Sequence, residues 1–106
     1  MSNQHIDNIC LIENTTILIN FSQGWDQDDS ELLSKLVLAT IKNAKLVEQT
    51  QGADRHYFRF MFDNNYFLLH FEHYSYSCWI EAEDAVSALH IVDLYKQINE
   101  QLKMLK

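Results

Sequence analysis

The chain has no proline, only two glycines (Gly24 and Gly52) and only two cysteines (Cys10 and Cys78) among its 106 residues. Without a glycine cluster there is nothing from which to build a phosphate-cradling loop or a flexible linker. Two isolated cysteines make neither a disulfide framework nor a paired zinc signature, so reduced thiols and a cytoplasmic location are expected. The N-terminus MSNQHIDNIC has no basic segment followed by an apolar one, so no secretory leader is read. No apolar run approaches the roughly 18 residues of a membrane helix, and no membrane association is expected. Basic residues are also scarce, 8 Lys and Arg against 15 Asp and Glu for a formal charge of −7. Nucleic-acid binding depends on Lys and Arg displacing counterions from phosphates, so no nucleic-acid partner is expected. No nucleophile elbow occurs and neither cysteine has an electropositive setting, so no catalytic residue is assigned and no cofactor is expected.

What the chain does have is a dense central block of aromatic and β-branched residues, and a 47% hydrophobic content suited to one domain over residues 1–106. From His56 to Ala82 the sequence alternates with a period of two. Taking Asn64-Asn65 as a two-residue turn, where left-handed backbone is required, pairs Phe62 with Phe67, Phe60 with Leu69, Phe58 with Phe71 and His56 with His73. That face is apolar and is expected to point inward; the other carries Met61, Arg59 and Tyr57 against Leu68, His70 and Glu72. A turn at Ser75-Tyr76 sets Cys78 beside His73, Trp79 beside Glu72, Ile80 beside Phe71 and Glu81 beside His70. A three-residue loop there would instead turn Trp79 into the core. Upstream, a turn at Gly52-Ala53 pairs Val47 with Phe58 and Leu46 with Arg59, and a turn at Asn14-Thr15 makes a first hairpin pairing Ile12 with Ile17.

Two helices complete the reading. Asp28 with Glu31 forms a capping box for a helix from Asp29 to Asn43, and Glu83 and Asp84 open a second whose stripe is Ile91, Tyr95, Ile98, Leu102 and Leu105. The order β-β-α-β-β-β-β-α predicts an α+β two-layer sandwich, an antiparallel sheet with both helices on its Phe-rich face. The alternative is that the first hairpin adds to the sheet edge of another subunit.

The predicted grid places Arg59, His70 and Glu81 side by side on the outer face, with Tyr57, Glu72 and Trp79 in the next row. An Arg, a His and a carboxylate together suit an anion or a proton transfer, whereas the plain alternative is a cross-strand charge ladder. On the inner face His56, His73 and Cys78 line up as residues of metal-ligand type, although without the spacing of a zinc signature; the plain alternative is a polar rim to the core. Trp25, in the loop before the first helix, is read as packing onto that helix rather than as an exposed contact.

Gly52-Ala53-Asp54-Arg55-His56 and Trp79-Ile80-Glu81 resemble the corresponding segments of a family of short uncharacterised bacterial proteins of about this chain length. The resemblance implies a free-standing domain and assigns no activity or site. Leu46, Met61, Leu68, Tyr66 and Tyr57, joined by Trp79 where the Ser75-Tyr76 turn holds, gather on the outer face, too many large side chains for an idle surface. The sequence therefore predicts a non-enzymatic module that associates with itself or with another protein, with a small-molecule or anion-binding protein using Arg59 and His70 as the second reading and a metal-dependent enzyme as the third.

Overall fold

The computed structural model describes residues 3–105 and has the expected order of strands and helices. Strands β1 (Ile6–Ile12), β2 (Thr16–Phe21), β3 (Lys45–Gln51), β4 (Arg55–Phe62), β5 (Asn65–Glu72) and β6 (Ser77–Ala82) form one antiparallel sheet. Its spatial order is β1-β2-β6-β5-β4-β3, so the first hairpin joins its own meander through β2 and β6. Helices α1 (Ser30–Leu38) and α3 (Ile91–Met104) cover one face, and the single turn α2 (Ala85–Ala88) sits at the end of β5 and β6. Phe58, Phe60, Phe67, Leu69, Ile17 and Ile80 from the sheet share one core with Leu33 and Val37 of α1 and Ile91, Leu94 and Ile98 of α3. Each such side chain contributes about 1.5–3 kcal/mol on burial, which is why the Phe-rich face takes the helices. Among the described residues no helix is long and apolar enough to cross a membrane.

The faces of the central strands are as expected, but the registers differ. The β4–β5 turn is Asp63-Asn64, whose φ angles of 53° and 65° are the left-handed pair, and Asn65 is a buried strand residue opposite Phe62. Phe60 therefore faces Phe67 and Phe58 faces Leu69. Asp63-Asn64-Asn65 offers two placements of a two-residue turn, and moving it by one position shifts the pairing by two, which leaves every side chain on its original face. Asn65 secures the observed choice by donating from Nδ2 to the Asp63 carbonyl at 2.9 Å.

The other turns are displaced for similar reasons. The β5–β6 loop takes four residues, with Phe71 opposite Cys78, Leu69 opposite Ile80 and His70 opposite Trp79. Ile80 is fully buried and Trp79 lies on the outer face, which excludes the three-residue alternative. Gln51 rather than Gln49 faces His56, and a bulge between Leu46 and Glu48 brings Leu46 opposite Phe60 on the inner side. Leu46 is thus not an outer-face residue. The first turn spans Glu13, Asn14 and Thr15, with positive φ at Glu13 and Asn14, so Ile9 and Leu11 share a face with Ile17 and Ile19 while Cys10, Ile12 and Leu18 lie outside. An odd loop length reverses parity in one strand, and no apolar pattern forbade it because both faces of this hairpin are apolar.

The first helix is shorter than expected. The capping box belongs to a 3-10 turn over Gln27–Asp29 that leads into α1: Asp26, not Asp28, caps that turn, accepting from the Asp28 N–H at 2.9 Å while Asp29 accepts from the Asp26 N–H at 3.0 Å. At the C-terminus Asp84 accepts from the Ser87 N–H at 2.7 Å to start α2, and the chain bends at Leu89 and His90 before α3. Leu94 replaces Leu105 in the buried stripe.

Candidate functional site

The outer face carries no long helix, and its side chains are arranged in rows fixed by the pairing just described. One row is Tyr57, His70, Trp79 and Leu18; the next is Arg59, Leu68, Glu81 and Thr16. Toward one end follow Arg55, Glu72 and Ser77, and toward the other Lys45, Met61 and Tyr66. Most of these side chains are partly buried by one another.

His70 is the centre of the face. Its ring stacks on Trp79 with centroids 4.8 Å apart and an interplanar angle of 16°, and Tyr57 closes the other side at 5.9 Å. The residue is only 6% exposed, and neither ring nitrogen has an aligned hydrogen-bond partner. Nε2 lies 3.3 Å from Glu81 Oε1, close enough for Coulomb attraction but not directed as a hydrogen bond. Burial pushes the His70 pKa below the ordinary imidazole value, Glu81 opposes that shift and Arg55 adds to it, so the ring is neutral at pH 7.

The structure separates the trio expected from sequence. Arg59 grips Glu83 through Nε and, at 3.0 Å, through Nη2, and its guanidinium lies 4.3 Å from the Tyr66 ring centre. The two-residue register shift moved Glu81 from beside His70 to beside Leu68, a diagonal neighbour of the imidazole. Glu72 is occupied too, accepting from the Tyr74 and Ser75 N–H groups and from the Ser75 hydroxyl, which together hold its carboxyl below the usual range. Sequence reasoning missed Glu83 and Arg55, the latter 5.5 Å from the Trp79 ring centre. The signal was available for Glu83, which is two residues beyond Glu81 and keeps the same parity.

The inner-face row of His56, His73 and Cys78 does not form. His56 and Cys78 are both opposite Phe71, and His73 lies in the loop beyond β5. His56 Nδ1 is 2.6 Å from the Ser30 hydroxyl, which also lies beside the Gln27 carbonyl, and Nε2 is 3.0 Å from the Gln49 side-chain amide. Burial lowers the His56 pKa, and a neutral ring that donates from Nε2 to the Gln49 Oε1 accepts at Nδ1 from the Ser30 hydroxyl. This histidine ties the start of α1 to the sheet. Cys78 is buried, and that burial pushes its thiol well above the ordinary value. Among the described residues no three His, Cys, Asp or Glu side chains are grouped to hold a metal ion.

Trp25 lies against Phe21 and Phe71 at the edge of the core rather than along the helix, with centroids 6.5 and 5.5 Å away. Neither a curated protein nor a solved structure gives a significant match to this chain. A family of proteins of unknown function, DUF3630, matches residues 9–97, and the chain belongs to that family.

Proposed function

We propose that this protein is a self-associating interaction module in which the outer sheet face packs on the same face of a second copy. The observation that supports the reading is the order of residues across the rows. A two-fold axis running along β5 would set Leu68 on its own counterpart and place Arg59 of each copy over Glu81 of the other. The same axis lays Tyr57 on Trp79 in the adjacent row and brings the two His70 rings together. An isologous interface requires such self-complementarity. Glu72 meets its own copy only at the rim, where Ser75 already turns its carboxylate into the loop. Six strands at about 4.8 Å spacing make a face about 24 Å wide, the scale of a small specific interface.

The anion-binding reading required Arg59, His70 and Glu81 to converge, whereas the register puts His70 in the neighbouring row and Leu68 between Arg59 and Glu81. Substituting Leu68→Lys tests the proposal. The expected result is a folded monomer with a cooperative melt and a lower sedimentation coefficient than wild type. A wild-type protein that stays monomeric at high concentration, or a variant that sediments like wild type, refutes it.

A further inference from the structure

An open depression of about 660 Å³ lies at the end of the sheet, between the loop that precedes α1 and the β5–β6 loop. Three rings line it. Trp25 stands at 81° to both Phe21 and Tyr76, with centroids 6.5 and 5.9 Å away, so the walls meet at right angles. Asp26 and Asp29 supply carboxylates to the same lining, which contains no Lys or Arg. Each carboxylate uses one oxygen on the capping turn, Asp26 Oδ1 toward the Asp28 N–H and Asp29 Oδ2 toward the Asp26 N–H.

We propose that this depression binds an organic cation of the trimethylammonium class. Perpendicular aromatic faces present their negative quadrupoles to a shared volume, and a bulky, weakly hydrated cation fills it with little desolvation cost. The adjacent carboxylates complement the charge, and the chain's own net charge of −7 favours a cation over an anion. Elsewhere this fold sets cations over aromatic faces, Arg55 over Trp79 and Arg59 over Tyr66, whereas Trp25 and Tyr76, packed edge-to-face on each other and on Phe71 and His73, have no cation of the chain over them among the described residues. Tyr76 also occupies a left-handed position, φ 51°, that glycine would adopt without strain, and there it projects a ring that is 57% exposed.

The test is a titration of isotope-labelled protein with choline, followed through the Trp25 indole N–H resonance, with 3,3-dimethylbutan-1-ol as the uncharged probe of the same shape. Choline is expected to shift the Trp25 signal saturably, leaving Trp79 unmoved, with the neutral probe at least about ten-fold weaker. Tyr76→Gly removes one wall while relieving the positive φ, so it should retain or raise the melting temperature and still lose choline binding. Asp26→Asn keeps a capping oxygen and removes a charge, and it should weaken choline by several-fold without moving the affinity for the neutral probe. Equal shifts by the two probes, or full choline binding by Tyr76→Gly, overturns the proposal.

Discussion

Replacing His70 by phenylalanine should stabilise the protein. The imidazole is 6% exposed, and both of its nitrogens are without an aligned hydrogen bond, so the folded state carries desolvation it does not recover. An unsatisfied buried polar group costs about 1–3 kcal/mol. The Coulomb attraction of Glu81 offsets only part of this, because that carboxylate is 44% exposed. Phenylalanine keeps the stack on Trp79, so a net gain of about 1–2 kcal/mol is expected, or about 4–8 °C in the melting temperature of a domain this size. The pH dependence supplies the second reading. The folded pKa of His70 lies below its unfolded value, so the unfolded state takes up the proton first. The neutral ring's contribution is intact above the unfolded value near pH 6.5 and is lost as pH falls from there through the folded value. His70→Phe should accordingly lose less stability than wild type between pH 7 and pH 5. The assay is thermal and urea unfolding at low protein concentration across that range. His56→Phe is the control: both nitrogens of His56 have partners, so the same replacement should cost about 1–3 kcal/mol. Destabilisation of His70→Phe by as much as His56→Phe would refute the reasoning.

The turn assignment predicts that Asn64→Val, which forces a β-branched residue to positive φ, lowers stability by about 1–2 kcal/mol, whereas Asn65→Val loses one hydrogen bond and costs less. Denaturant melts of the two variants that rank them the other way would return the turn to Asn64-Asn65. Thiol labelling of the native protein should show one fast site, Cys10, because Cys78 is buried with its thiolate disfavoured. Two fast thiols would mean that the Cys78 layer opens readily.

Face alternation was legible in the sequence because burial is expensive to get wrong. Phe58, Phe60 and Phe67 are inward in both the expected and the observed registers, since a shift of two preserves parity. Row composition was not legible, and for the same reason: apolar patterning is blind to even shifts, so the neighbours of His70 changed from Arg59 and Glu81 to Tyr57 and Trp79. Loop length decided those rows. The run Asp63-Asn64-Asn65 contains two equally suitable turns, and Tyr76 accepts a left-handed angle that no rule would assign to tyrosine. The bulge that turned Leu46 inward lies in an edge strand whose residues are all exposed, where no burial pattern could reveal it. The cap at Asp26 was hidden by three aspartates in four residues, each a suitable N-cap.

The central claim is the two-fold contact that sets Arg59 of one copy over Glu81 of its partner. Arg59→Glu and Glu81→Arg each place like charges across that contact and should each weaken self-association. Mixed in equal amounts, the two variants restore opposite charges at both positions. Native mass spectrometry of the mixture should therefore show a heterodimer, at twice the 12.5 kDa chain mass within the substituted residues' difference, in excess of either homodimer. A statistical mixture of homodimers and heterodimer, or a purely monomeric spectrum at concentrations up to the millimolar range, would contradict the account.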